Sequence, residues 1–394
     1  MIESGEIAAT RIGAGLSAER EPARAASEAA SRAAASFGSG REVDLAFLFL
    51  SADHLDDVEG AVGGVLQELQ PRHLVGCVAD GVVAGGRELQ EGPGAAVWAA
   101  TLPEGAEVDV FHAIAIPGDD GMLITGVPPL EDPDLVALLV DPYSFPAAPF
   151  LAKLNEEQPG LPVVGGLAGG GGHPGEGALI VEDRVVTDGA VGVALRGAPV
   201  LTVVSQGCAP IGRDAVVTSA EGNVVYELAG RPALMRLQNE IAALTPEERA
   251  LASRGVLAGL VIDENRSEYG RGDYLMRALL GADEDSGAIA VGEPVRVGQT
   301  LRFHVRDAAT ADDDLHAALV RALDRRPPAG ALLFTCNGRG THLFSEPDHD
   351  AGLVAEALGS RALAGFFAAG EIGPVGGRAF VHGYTATLAV FLDG

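Results

Sequence analysis

Apolar positions along this chain gather into short runs that end in small residues, and one such run occurs three times. Val75-Gly76-Cys77-Val78-Ala79-Asp80-Gly81, Val164-Gly165-Gly166-Leu167-Ala168-Gly169-Gly170 and Ala364-Gly365-Phe366-Phe367-Ala368-Ala369-Gly370 share the pattern G-x-x-A-x-G. Upstream of each lies another apolar run and then a helical pattern: residues 45–50 and 58–69, 135–140 and 150–157, 331–336 and 353–358. Strand, helix, strand is predicted in all three places, over the roughly 30 residues usual for a right-handed βαβ crossover. Glycine at the first and last pattern positions permits a positive φ or a close backbone approach, and the alanine between them keeps the surface low. Loops of this kind lie at strand ends, where open α/β sheets tend to bind ligands.

The remaining pattern fills in around these units. Residues 7–16 read as a first strand, followed by an alanine-rich helix over 18–36 with Pro22 in its first turn and Phe37-Gly38-Ser39-Gly40 as its stop. Runs at 95–102 and 107–116, joined through Pro103-Glu104-Gly105, predict a hairpin. Loops are expected at Gly118-Asp119-Asp120-Gly121, at Pro128-Pro129 and at Gly169-Gly170-Gly171-Gly172, with two or three strands between 178 and 204. Past residue 223 strand gives way to helix, and Thr245 is placed to cap a second helix opening at Pro246. Strands at 256–262, 274–280, 288–291 and 300–305 lead into an amphipathic helix over 312–324, stopped by Arg325-Arg326-Pro327-Pro328, and a strand at 385–392 closes the chain. The expected fold is α/β (α+β), with two halves, 1–225 and 226–394. Each half carries mixed β-sheets covered by helices and built on the repeated β-α-β units. Kinship is expected between the first and third units, while the second joins the first unit's sheet or forms its own layer.

Charge and composition narrow the function. The chain has 394 residues, 47% of them hydrophobic, so two or three units with ample core are expected. A formal charge of -28 opposes approach to nucleic acid or to an anionic membrane surface, and both are set aside as partners. Three widely spaced cysteines, Cys77, Cys208 and Cys336, argue for a reducing compartment and against a disulfide framework. With neither a signal-peptide pattern nor a spanning apolar stretch, the expected location is cytoplasmic.

The densest polar constellation is Cys336-Asn337-Gly338-Arg339-Gly340-Thr341-His342, at the end of the third unit's first strand. Its glycines expose backbone N–H groups beside a guanidinium, an arrangement suited to a carboxylate or another anion, or equally to a structural turn. Asp80 and Glu371 stand at matching places on two of the three loops, where a carboxylate would accept a ligand amino group or simply face water. The candidate ligand-binding set is therefore Cys77, Asp80, Gly81, Gly165, Gly166, Cys336, Asn337, Gly338, Arg339, Gly340 and Glu371. In Asp348-His349-Asp350, either aspartate reads as a helix cap. His342, His349 and His382 with Glu371 fit no metal-ligand spacing, so no metal is expected. Cys77 or Cys336 as a nucleophile, with His349 or His382, offers an enzyme reading against that of a buried cysteine. Neither a nucleophile elbow nor a P-loop or dinucleotide spacing occurs, and no cofactor is expected.

The segments Gly76-Cys77 with Asp80-Gly81, residues 164–168, Val204-Ser205-Gln206-Gly207-Cys208, residues 336–340 and residues 365–374 closely resemble the FIST domain family. The resemblance runs from about residue 43 to 391, with an N-terminal FIST part over 1–225 and a C-terminal part over 226–394. It implies a non-catalytic intracellular sensory module of signal transduction that binds a small ligand, amino acids or small carboxylates among the expected ones. It leaves no room for an F-box, kinase, receiver or cyclase segment, so a separate signalling output protein is the expected partner. The alternatives are a cysteine-dependent hydrolase or transferase and a protein-interaction scaffold without a small ligand.

Overall fold

Three copies of one strand order build the larger of the two units into which the chain folds. The computed structural model describes residues 9–37, 42–118, 121–324 and 326–393. Unit 1 comprises Met1–Val204, His316–Val381 and Ala386–Gly394, and unit 2 comprises Ser205–Leu315 with His382–Thr385. The first copy runs β1 (Arg11–Ser17), α1 (Pro22–Ala34), β2 (Leu45–Ser51), α2 (Val58–Leu69), β3 (His73–Ala79), the hairpin β4 (Gly81–Ala84) and β5 (Arg87–Leu89), then β6 (Ala95–Thr101). The second runs β7 (Glu107–Gly118), β8 (Gly121–Thr125), β9 (Leu135–Val140), α3 (Ala147–Glu157), β10 (Val163–Leu167), β11 (Leu179–Val181), β12 (Arg184–Val186) and β13 (Ala190–Arg196). The third opens with β14 (Val200–Ser205) and is then interrupted by unit 2. That segment carries β15 (Cys208–Glu221), β16 (Val224–Leu228), β17 (Arg231–Pro232), α4 (Ala233–Ala242), α5 (Pro246–Ala252), β18 (Val256–Val261), β19 (Tyr274–Asp283), β20 (Ala288–Val291) and β21 (Thr300–Arg306). The third copy resumes through α6 (Ala308–Leu323), β22 (Pro328–Cys336), α7 (His349–Leu358), β23 (Leu363–Ala368), β24 (Glu371–Val375), β25 (Arg378–His382) and β26 (Ala386–Leu392).

The copies exchange hairpins in a cycle. Each has a parallel pair, β2 with β3, β9 with β10 and β22 with β23, joined by a helix as predicted. The hairpin that follows a pair completes another copy's sheet: β4 pairs β23, β24 pairs β10 and β11 pairs β3. Where the pair turns into the exchanged hairpin lies the G-x-x-A-x-G loop. Its first glycine faces equivalent leucines: Gly76 opposes Leu48, Gly165 opposes Leu138 and Gly365 opposes Leu333. A Cβ at these glycines would stand 2.0, 1.8 and 1.6 Å from the carbonyl oxygens of those leucines, so the strands approach closely enough to exclude any side chain.

Inner faces of all three sheets meet in one apolar core that includes Phe47, Phe49, Cys77, Trp98, Leu139, Val164, Phe334, Phe366 and Phe391. Phe49 and Phe334 occupy equivalent positions, one residue after the opposed leucine, and both pack on Phe366 with ring centroids 5.4 Å apart. The outward residues of β2 are covered in turn, Ala46, Leu48 and Leu50 lying under the alanines of α1 and the valines of α2. Burial on both faces is why these strands read as unbroken apolar runs rather than alternating ones. In unit 2, β15-β21-β18-β19-β20-β16-β17 form one antiparallel sheet, and the predicted Thr245 cap is a full capping box with Glu248.

Mixed sheets with helices over them agree with the expected fold class, and the kinship extends to the second copy as well. Two local expectations are corrected. The predicted hairpin of 95–102 with 107–116 does not form: β6 lies between β1 and β2, whereas β7 pairs with β13 and β8, because each is claimed by its own copy's sheet. Residues 178–204 form four strands rather than two or three, shared among all three copies' sheets. Residue 225, near which the two halves are expected to divide, lies in unit 2, and the C-terminal third of the chain returns to complete unit 1. The start of the first strand at Ile7, the stop at Gly38-Ser39-Gly40, the Asp119-Asp120 tip and Arg325 lie outside the described residues. Among the described residues, no helix is long and apolar enough to cross a membrane.

Overpacking at the opposed glycine should be costly where surplus helix entropy is not. Gly365→Ala is expected to lower stability by about 1–3 kcal/mol or more. Gly63→Ala, in α2 with nothing within 4 Å of the added methyl, is expected to raise it by about 0.5–1 kcal/mol. Denaturant midpoints of the two variants check this.

Candidate functional site

The fifth positions of the three glycine loops, Asp80, Gly169 and Ala369, come together at one point. A Cβ on Gly169 would lie 2.6 Å from Asp80 Oδ2 and 3.3 Å from the Ala369 methyl. The second and third loops are tied by two backbone bonds, Leu167 N–H to the Gly370 carbonyl (2.8 Å) and Ala369 N–H to the Leu167 carbonyl (3.0 Å). The polar segment after β22 is fastened to the same place. Asn337 donates its backbone N–H to Ala368 (2.9 Å) and its side-chain amide to the Asp80 carboxylate. Asp80 is exposed, whereas Asn337 is half-buried with its Oδ1 buried and without a hydrogen-bond partner, so the Asp80 carboxylate is what the junction presents outward.

Two residues on from Asn337, Arg339 is fully buried, and its Nη1 has no hydrogen-bond partner. Its Nε and Nη2 donate to the two oxygens of Asp350, at 2.7 and 2.8 Å, in a bidentate pair with both side chains at 0% exposure. Thr335 adds an O–H donor to Asp350 at 2.6 Å, and Phe344 lies under the guanidinium at 5.3 Å. Burial opposes charge on both partners. The field and hydrogen bonds of Asp350, with Glu371 adding to them, nevertheless hold Arg339 above its ordinary pKa, and Arg339 holds Asp350 well below the usual carboxylate range.

The expected anion site is thereby corrected: the carboxylate on Arg339 is the protein's own. The neighbouring backbone donors are spent internally too, Arg339 N–H on Cys336, Thr341 N–H on the Gln90 side chain (2.7 Å) and His342 N–H on Arg339. The capping role expected of Asp348 or Asp350 is also replaced. Asp350 serves Arg339, and Asp348, in left-handed conformation, accepts the Glu88 backbone N–H at 2.7 Å instead of capping α7.

The other predicted residues divide between this junction and the core. Gly166 pairs with Glu371 across β10 and β24, and Gly165 with Ile372, so both glycines and the buried Glu371 flank the meeting point. Cys336 ends β22, buried, immediately before Asn337. Gly338 donates to the Cys336 sulfur at 3.5 Å, and Gly340, at φ +52°, lies against the Gln90 amide, which a Cβ would strike at 2.4 Å. Gly81 starts the exchanged strand opposite Phe367. Cys77 sits apart from the junction's polar face, inside the core, where burial pushes its thiol pKa far up and opposes a thiolate. Among the described residues, no group of three or more His, Cys, Asp or Glu side chains is arranged to hold a metal ion.

Sequence reasoning missed Glu88 and Gln90, which come from the exchanged hairpin and its exit. Glu88 accepts the Ala351 backbone N–H at 2.9 Å through Oε1, while its buried Oε2 has no hydrogen-bond partner. Burial, then the nearby Asp350 charge, pushes its pKa up to about 7 from 4.5. Nothing local in Arg87-Glu88-Leu89-Gln90 signals this, since the partners lie some 260 residues away.

Two stability outcomes follow from this network. Asp350→Asn leaves a buried guanidinium without its counter-charge and is expected to cost about 3–5 kcal/mol. Because the folded-state pKa of Glu88 is raised, the folded protein holds its proton longer than the unfolded chain, so stability should fall as pH rises from about 4.5 to about 7. Glu88→Gln, which keeps the Oε1 acceptor, should flatten that decline in denaturant melts across this window.

Against this geometry, comparison with known proteins is consistent along the chain. The FIST N domain matches residues 44–231 and the FIST C domain residues 233–374, so the junction between the two matches falls within unit 2. An uncharacterized protein of Mycobacterium tuberculosis (strain ATCC 25618 / H37Rv) is 47% identical over 386 residues, covering 97% of this chain and all of that protein. An uncharacterized protein of Mycobacterium bovis is 45% identical over 386 residues, covering 97% of this chain and 99% of that protein. FIST domains are associated with sensing in signal transduction. With both family segments matched in order and relatives aligned nearly end to end, the chain belongs to the FIST family.

Proposed function

We propose that this protein is a non-catalytic sensory module whose small ligand carries an amino group, an amino acid being the simplest case, and that Asp80 receives that group. The observation that carries the reading is the exposed Asp80 carboxylate, held by Asn337 where three glycine loops meet. An ionised carboxylate has acceptor capacity beyond the one Asn337 bond, and charge-assisted bonds to ammonium are among the stronger ones. The net charge of -28 favours a cationic group over an anion. Arg339, neutralised by Asp350, contributes by fixing the Asn337-Gly338 turn rather than by touching ligand. Small side chains around the carboxylate leave backbone close at hand, which suits a compact ligand. A cysteine enzyme finds less support, since Cys77 is sealed in the core. Ligand binding would act on a separate output protein only through a difference in affinity between two arrangements of the chain.

Native mass spectrometry of undialysed protein, and then after addition of an amino-acid and amine panel, tests the reading. One equivalent of an amine-bearing compound should be retained or added, and its affinity should fall roughly 10- to 100-fold in Asp80→Asn. Binding of carboxylates without an amino group, or equal binding by Asp80→Asn, would overturn it.

A further inference from the structure

Unit 2 contains a cavity of about 310 Å³ whose lining residues all belong to that unit. Its walls include Tyr269, Tyr274, Met276, Arg302, His304 and Asp314. Tyr274 stands at the centre: its ring meets His304 edge-on at 5.0 Å and Tyr269 at 6.0 Å. Its hydroxyl proton goes to Asp214 at 2.7 Å, which fixes the ring in place. His304 is 2% exposed, and its Nδ1 lies 3.1 Å from the Arg302 carbonyl, so Nδ1 carries the hydrogen and Nε2 is an acceptor. Burial pushes the His304 pKa down to about 4, keeping the ring neutral at ordinary pH. Arg302 donates through Nη2 to the Gly212 carbonyl at 2.9 Å, while its Nε is buried with no hydrogen-bond partner. Asp314 is held through Oδ2 by the Ser205 hydroxyl and the Gln206 backbone N–H, both at 2.9 Å.

The cavity thus offers flat aromatic and thioether surface together with donors on Arg302 and acceptors on His304 and Asp314. A simple aromatic acid could meet Arg302 but would leave the acceptors of His304 and Asp314 without a donor, and an aliphatic amine would waste the ring surfaces. A planar ring bearing both donors and acceptors along its edge uses all three. We infer that this cavity binds a planar nitrogen heterocycle of the nucleobase class, its face on the tyrosines and its edge read by Arg302, His304 and Asp314. The volume is at the small end of ligand pockets and suits a base rather than a whole nucleotide.

Calorimetric titration of the full chain with adenine, guanine, cytosine and uracil, and with benzoate for comparison, is the test. At least one base should bind at one equivalent. Its affinity should fall tenfold or more in Tyr269→Ala, whose ring is partly exposed, and in Arg302→Lys, with folding of each verified by circular dichroism. Asp80→Asn should leave it unchanged, which separates this site from the junction in unit 1. Absence of binding by every base, equal binding by Tyr269→Ala, or benzoate binding as tightly as the best base would each overturn the inference.

Discussion

Three backbone contacts, each between a glycine and the carbonyl of a facing leucine, set how close the paired strands of unit 1 lie. Gly76, Gly165 and Gly365 leave no room for a Cβ, so each parallel pair is drawn together just before its chain leaves for another copy's sheet. The hairpin exchange then does what no single copy could. Each sheet lacks two strands of its own, and the cycle supplies them while burying the inner faces of all three sheets against one another. Cooperativity follows from that arrangement: no copy can open without exposing an edge in a second copy and apolar surface in all three.

Upon that frame the polar segment after β22 is positioned by electrostatics rather than by packing. A guanidinium and a carboxylate with no solvent exposure repay their desolvation only through close geometry and further bonds; here the contact is bidentate, Thr335 serves Asp350 and Phe344 lies under the guanidinium, while Arg339 Nη1 is left without a hydrogen-bond partner. The consequence is a fixed turn at Asn337-Gly338, and through it a fixed Asp80. Glu88 reaches the same network from a hairpin of the first copy, so the site depends on the exchange as directly as the fold does.

Local physics made much of this legible in the sequence. Apolar runs, a proline at the start of α1 and the capping box at Thr245 report short-range forces, and those elements stand where expected. The G-x-x-A-x-G repeat likewise marked the close approach and the loops that meet. What stayed hidden was non-local. A strand's partner is not written in its own pattern, so β6 and β7 read as a hairpin although each belongs to a different sheet. Arg339 reads as an open anion site because its neighbours are glycines, and only the fold brings Asp350 around to occupy it. Glu88 gave no signal at all, since its burial arises from contact with a helix near the other end of the chain.

The departures from threefold likeness locate what the fold itself does not need. Counting six residues past the opposed leucines leads to His54, Ser144 and Arg339, and counting four past the opposed glycines leads to Asp80, Gly169 and Ala369. Glycine recurs at the opposed position because the backbone demands it, yet at these positions the three copies carry different chemistry. His54 is buried and kept neutral by that burial, and Ser144 is spent on Asp141, so only Arg339 builds a buried charge pair. At the meeting point, only Asp80 carries a charge among the three. A frame that tolerates glycine or alanine at two of these places does not require aspartate at the third for packing. An exposed carboxylate fixed by an amide from another copy is therefore the departure from threefold likeness on which the proposed binding role rests.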